Sequence, residues 1–417
     1  MDTREQRGLQ LAATKRFKRK GSLWIVPSQS GSGSYVVDPQ DGSCSCPDFE
    51  ERGQKCKHTY AVEFTVRRET AADGTVTVTE SVTVTRKTYA QNWPAYNAAQ
   101  MNEKTRVADL LAALCSGIAQ PPQTKGRPRL PLRDVVFAAT MKVYLTSSGR
   151  RASSDLADLA AKGYLSRAPH YNSIFNYLEN PSLTPLLKSL IEESANPLKA
   201  VERDFAVDAS GFSTSTKANW FENKYGTGAY PAPSKRKFIK CHVMCGVKTH
   251  VVTSVQVTEG DAHDSPYLPA LVATTAPRFD VAEVSADKGY LSKSNLAAIE
   301  ATGAAAFVPF KINSQGDGNG EIWSRLFHFF SFNRADFLAH YHKRSNVETV
   351  FSMVKAKFGG AVRSRTETAQ MNEVLLKVLC HNLCVLVQAI YERGLEPTFW
   401  PAALPPSAPV LVAGVAS

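Results

Sequence analysis

From residue 203 onward the chain falls into short β-rich runs separated by helical stretches. That alternation constrains the fold more than any other feature. The runs are Phe205–Val207, Phe238–Val247, Val251–Val257, Val281–Ser285 and Ala304–Phe310. Helical spacing appears near 266–275, 292–301 and 335–358. Mixed strands and helices specify a layered α/β domain, because a sheet with an apolar face must bury it under helices. Two of the runs end alike. Phe205-Ala-Val leads into Asp208 and then Ser-Gly, while Val281-Ala-Glu-Val-Ser-Ala leads into Asp287 and then Lys-Gly. Both patterns place an acid at the end of a buried strand, where a lone charge is costly unless paired or held on a metal. Taken singly, each aspartate also fits an ordinary turn or cap residue.

A third acid lies on a predicted helix. In Tyr341-His-Lys-Arg344-Ser-Asn-Val-Glu348-Thr-Val-Phe-Ser-Met-Val-Lys355, helical geometry puts Tyr341, Arg344, Glu348 and Lys355 within an arc of about 60°. Val347, Val350, Phe351, Val354 and Phe358 form a neighbouring apolar stripe. An amphipathic helix with i,i+4 charge pairs, such as Arg344 with Glu348, would look the same. Taken together, two strand-end aspartates and a helical glutamate supply the hard oxygen donors that suit a pair of Mg²⁺ ions. Two such ions serve phosphodiester cleavage, and Arg and Lys on the same helix face supply donors for phosphate. Lys343, Lys357, Arg363 and Arg365 add positive charge around Glu348.

Near the N-terminus, Cys44-Ser-Cys46 and Cys56-Lys-His58 form two tight pairs nine residues apart. Cys₃His is a closed tetrahedral set for Zn²⁺, with no open position for a reacting water, so the site reads as structural. Binding would supply much of a small module's folding energy. Eight cysteines in 417 residues are too few for a disulfide scaffold. Cys241, Cys245, Cys380 and Cys384 read as core residues. The formal net charge of +11 points to a polyanionic partner, either nucleic acid or an acidic membrane surface. No apolar run reaches the ~18 residues needed to span a bilayer, and the N-terminus does not resemble a signal peptide. Secretion and membrane insertion are therefore not expected.

The remaining segments organise the chain. The basic run at 15–20 is either a solvated stretch or a phosphate contact. Thr and Val alternate over 73–85 as in a strand pair. A helix is predicted over 98–119, followed by a Pro/Gly-rich break at 121–129 that reads as a linker and domain boundary, and then by a helical stretch over 131–200. Within that stretch Ser153-Ser154 is expected to cap a helix that Gly163 ends, with a second helix from about His170 to Leu178. This pair is either a helix–turn–helix presenting Tyr171, Asn172 and Asn176 to bases or a helical subdomain packed on the core. Lys125-Gly-Arg-Pro-Arg129 matches an AT-hook core, though so short a match also arises by chance. Lys235, Arg236, Lys237 and Lys240 extend the basic surface. The tail after Pro401 is Pro/Ala/Val-rich and expected to be disordered.

The cysteine run, within roughly residues 22–90, resembles the SWIM zinc finger, whose pattern is Cys-x-Cys, a variable gap, then Cys-x-His. The order strand-Asp, strand-Asp, helix-Glu over about 203–390 resembles the catalytic core of DDE transposases. Two, three and six residues separate Tyr341, Arg344, Glu348 and Lys355, the spacing of the YREK signature of bacterial insertion-sequence transposases. His263-Asp-Ser and Asp287-Lys-Gly-Tyr are also typical of that family. The resemblance implies an α/β, RNase H-like catalytic core preceded by a helical DNA-binding region and a small zinc-binding module. The corresponding divisions are 1–95, 96–202, 203–395 and a flexible tail over 396–417. Asp208, Asp287 and Glu348 would be catalytic ligands of Mg²⁺ or Mn²⁺. Tyr341, Arg344 and Lys355 would grip DNA phosphates, and Cys44, Cys46, Cys56 and His58 would hold structural Zn²⁺. The implied activity is cleavage at transposon ends and strand transfer into target DNA. It would be carried out by at least a dimer on double-stranded DNA, in the bacterial cytoplasm at the nucleoid. A nuclease without strand transfer and a transposase-derived DNA-binding regulator are the alternatives. The 60 residues between Asp287 and Glu348 are too few for the large β-rich insertion some members carry there. Trp323, in that segment, either stacks on a flipped base or packs in the core.

Overall fold

A computed structural model describes residues 3–29, 33–70, 76–80, 91–122, 129–214, 238–311, 313–316 and 321–400. They form two compact units, residues 1–91 and 92–417. The AT-hook match (apart from Arg129), Lys235 to Lys237 and the tail from Pro401 lie outside the described residues, as does most of the 73–85 alternation. Residues 396–400, expected to belong to the flexible tail, instead pack on the fold: Phe399 is buried and Trp400 donates to the Leu114 carbonyl at 3.0 Å.

In the first unit, α1 (Thr3–Thr14) is followed by β1 (Lys18–Lys20), β2 (Leu23–Pro27) and β3 (Ser34–Val37), an antiparallel sheet in that order. Two short helices, α2 (Pro47–Arg52) and α3 (Lys57–Thr65), lead to the hairpin of β4 (Val66–Thr70) and β5 (Val76–Glu80). The basic run at 15–20 supplies the edge strand β1, and its three residues are exposed. The core is small: Leu11, Trp24, Val26, Val37, Ala61 and Val62 surround the three cysteines. Helices α1 and α3 approach closely at Gly8, where a Cβ would lie 2.6 Å from that of Tyr60.

The second unit opens with α4 (Trp93–Cys115), capped by Asn92, whose side chain accepts from the Ala95 amide at 3.2 Å. Four helices follow: α5 (Leu132–Tyr144), α6 (Gly149–Ala161), α7 (Tyr171–Leu178) and α8 (Leu183–Ala195). The cap of α6 differs from expectation. Ser148 is the N-cap, accepting from the Arg151 amide. Ser153 and Ser154 lie inside the helix and turn their hydroxyls back to the carbonyls of Gly149 and Arg151, the usual alternative for serine in a helix interior.

Then come β6 (Asp204–Ser213), β7 (Phe238–Gly246), β8 (Val252–Glu259), α9 (Leu268–Thr275), β9 (Glu283–Ala286), α10 (Lys293–Glu300) and β10 (Ala305–Phe307). The chain ends in α11 (Ile322–Phe332), α12 (Arg334–Tyr341), α13 (Ser345–Phe358) and α14 (Glu367–Arg393). The sheet order is β10-β9-β6-β7-β8, antiparallel among β6, β7 and β8 and parallel from β6 through β9 to β10. Helices pack against this mixed sheet, as expected for an α/β, RNase H-like core. The helices α4 to α8 share one hydrophobic core with the sheet, so the break at 121–129 falls inside the second unit.

Helix α14 is long and apolar enough to cross a membrane by composition, yet most of it is buried within the fold. Its polar residues are satisfied internally. Asn382 donates to the Val252 carbonyl at 2.7 Å and accepts from the Val252 amide at 2.9 Å. Lys377 donates to the carbonyls of Gly359 and Ala361.

Candidate functional site

Parallel pairing of β6 with β9 sets Val207 opposite Ala286. Asp208 follows Val207 within β6 and Asp287 directly follows the last residue of β9, so the register brings the two acids to the same level of adjacent strands, whose spacing is about 4.8 Å. Asp287 ends its strand as expected, and its Oδ1 accepts from the Lys288 amide at 2.7 Å. Asp208 does not end its strand. Strand β6 continues through Ser210 and Gly211 to Ser213, paired to β7 throughout. The Ser-Gly pair that reads locally as a turn is held extended by its cross-strand partners, Cys241 and Lys240.

The predicted helix over 335–358 is two helices. A 3-10 turn, His342–Arg344, separates α12 from α13, so Tyr341 and Arg344 precede the helix that carries Glu348. The groups nonetheless converge. Arg344 donates to Asp208 Oδ2 at 3.2 Å and to Glu348 Oε1 at 2.6 Å, bridging strand and helix. Its guanidinium lies 5.9 Å from the Tyr341 ring centre. Lys355 donates to the Ser210 hydroxyl at 2.6 Å, two residues beyond Asp208. Val347, Val350, Phe351, Val354 and Phe358 are buried, and they fix the helix face that presents Glu348.

Burial raises the pKa of Asp208, and the charges of Asp287 and Glu348 push the same way. The Ala209 amide and the Arg344 guanidinium oppose them. A half-buried carboxylate with two further acids in electrostatic reach is relieved by a cation, so the donor set fits a divalent metal. Burial likewise raises Tyr341.

Several expected cations are engaged elsewhere. Lys343 pairs with Asp204 and Glu283, each at 2.7 Å. Lys357 pairs with Glu103, Lys240 with Asp264, and Arg363 donates to the Thr146 carbonyl. Lys343 is an anchor that sequence reasoning missed. It fastens the turn carrying Arg344 to β6 and β9, whose residues Asp204 and Glu283 sit opposite each other. A signal was present: each of these acids lies four residues before Asp208 or Asp287, the spacing that returns a strand to the same face. Trp323 packs edge-on against Phe310 at 4.9 Å and donates to the Gln315 carbonyl, which is the core alternative.

The ligand atoms of Cys44, Cys46, Cys56 and His58 all lie within 4.8 Å of one another, and all four residues are buried. His58 Nδ1 is 3.8 Å from the Cys44 sulfur and 3.7 Å from that of Cys56. Tetrahedral zinc would separate such atoms by about 3.5 Å, given metal–ligand distances near 2.0 and 2.3 Å. Cys46 precedes α2 and Cys56 precedes α3, so the two helix starts position the ligands. The Cys44 hydrogen bond, with help from His58, pushes the Cys56 thiol down, while Cys44 is pushed up. A thiolate is thus already favoured at one ligand.

Two family models match the chain. The transposase DDE domain matches residues 199–383, which include the three acids and Tyr341, Arg344 and Lys355. The SWIM zinc finger matches residues 35–66, which include the Cys₃His set. No curated protein matches.

Proposed function

Since the chain carries a transposase DDE domain and an N-terminal SWIM zinc finger, we propose that it is a YREK-type transposase that cuts transposon ends and joins them to target DNA. The observation that carries this reading is the strand register that ends with Val207 opposite Ala286, the residues just before Asp208 and Asp287, with Glu348 tied to Asp208 through Arg344. The domain implies use of a divalent metal. Asp208, Asp287 and Glu348 are the residues that would hold Mg²⁺ or Mn²⁺, and such a pair of ions supplies activation of the attacking oxygen and stabilisation of the leaving one.

The chain's own residues position the DNA. Arg344 bridges Asp208 and Glu348, and its forked guanidinium suits a phosphate beside them. Lys355, held beside the acids by Ser210, donates to a neighbouring phosphate, and Tyr341 flanks Arg344. In the first reaction water attacks a phosphodiester at the element's end: its oxygen bonds to phosphorus as the P–O3′ bond breaks, leaving a 3′-hydroxyl and a 5′-phosphate. That hydroxyl then attacks a target phosphodiester, and the target strand breaks as the new bond forms. The carboxylates need no covalent bond to DNA. Two ends must be held at once, so the working complex is at least a dimer. Such a substrate places it in the cytoplasm at the nucleoid. The SWIM module, closed around zinc, would recruit DNA and not react with it.

A pre-cut end with a free 3′-hydroxyl, incubated with plasmid and Mg²⁺, tests the joining step. Joined product is expected. Cleavage of uncut ends without joining would make the protein a nuclease.

A further inference from the structure

Helices α6 and α7 and the stretch 363–365 enclose a cavity of about 470 Å³ that shares no lining residue with the acids of the DDE site. Lys142 reaches it from α5. Its side chain is buried, and among the described residues it has no hydrogen-bonded or ion-paired partner. Its ammonium lies 5.6 Å from the centre of the Phe175 ring. The nearby Glu373 is spent on the amides of Arg363 and Ser364 and on the Ser364 hydroxyl. Burial therefore lowers the Lys142 pKa, with Glu373 opposing. A buried cation without an anion is costly, and an arriving anion would relieve it.

The rest of the lining has a matching character. Arg150 sits over the Tyr171 ring at 5.4 Å, and Tyr171 meets Phe175 edge-on at 6.0 Å. Arg363 and Arg365 form the opposite wall, against a single lining acid, Glu179. Gly149 allows this shape, because a Cβ there would lie 2.5 Å from the tip of the Phe175 ring. Phe175 is 37% exposed, and cations beside aromatic rings are what a nucleotide needs: a pair for its phosphate and a platform for its base.

We propose that this cavity is a second DNA-binding site, which receives one nucleotide of a strand with its phosphate on Lys142 and Arg150 and its base against Tyr171 and Phe175. The proposal rests on the DNA-processing reading above. It gives α7 a pocket, where the sequence offered either a helix laid into a groove or a helical subdomain packed on the core.

The test uses the full chain and a fluorescent single-stranded oligonucleotide carrying 2-aminopurine, titrated at several salt concentrations. Lys142→Met is expected to weaken binding about tenfold and to lower the salt slope by about one ion. Because it removes an unpaired buried charge, this variant should unfold no earlier than the native chain, so folding does not confound the result. Tyr171→Ala is expected to weaken binding by about tenfold with the slope unchanged, and to abolish the quenching of 2-aminopurine by stacking. Unchanged affinity and slope in both pocket variants would overturn the proposal, even if Glu348→Gln still lost cleavage and upheld the transposase reading. Competition by free deoxynucleoside monophosphate, with oligonucleotide binding insensitive to both substitutions, would assign the cavity to free nucleotides and also overturn it. No DNA binding by the native chain would instead remove the transposase reading.

Discussion

At the scale of residues, the site is a set of charges that need one another. Arg344 holds Asp208 and Glu348 together, while Lys343 holds the turn that carries Arg344. Removing Lys343 leaves Asp204 and Glu283 facing each other across paired strands. Both are only partly screened by solvent. Lys343→Met is therefore expected to lower stability by about 1 kcal/mol, a figure discounted for partial exposure. It should also slow cleavage, by letting Arg344 drift, more than it weakens DNA binding. Urea unfolding and single-turnover cleavage check the two halves separately. The i,i+4 link from Arg344 to Glu348 was legible in the sequence, because helical spacing is local. The links from Arg344 to Asp208 and from Lys343 to Asp204 were not, since they join residues 136 and 139 positions apart.

At the scale of elements, local pattern succeeded where it agreed with the pairing and failed where pairing overrode it. Strand β9 ends at Ala286, as the apolar run before Asp287 indicated. Strand β6 runs five residues past Asp208, because β7 holds Ser210 and Gly211 extended. Similarly, the break at His342–Arg344 follows from Lys343 reaching back to two strands, which no periodicity reveals. Asn382 shows the energetic side of such long-range pairing, since it bonds both backbone groups of Val252 and the Ser194 hydroxyl. Asn382→Leu is expected to cost about 2–4 kcal/mol, from buried backbone groups left unsatisfied, measured as a lower denaturation midpoint. The Cys₃His cluster was legible entire, because four ligands lie within fifteen residues. Chelation is expected to release hydrogen-exchange protection across α2 and α3 while leaving α13 and α14 unchanged, because the two units are separate.

At the scale of the whole molecule, buried histidines set the acid limit of stability. Burial pushes both His242 and His381 down to about 4 from the ordinary 6.5. The unfolded chain therefore binds protons that the folded chain refuses between those values. The stability these groups contribute is present above about pH 6.5 and is lost as pH falls toward 4, at about 1.4 kcal/mol per unit for each group. Urea midpoints should fall through that window. His381→Gln keeps a donor for the His250 carbonyl that His381 now contacts at 2.8 Å, and it should flatten the fall.

The central claim is that Asp208, Asp287 and Glu348 form one metal-dependent DNA-cleaving centre. Its most direct test is Mg²⁺-dependent cleavage of duplex DNA from the flanks of the gene, containing the element's ends, by the native chain and by Glu348→Gln. Cleavage is expected to disappear in the variant while DNA binding persists. Equal cleavage by both proteins would contradict it.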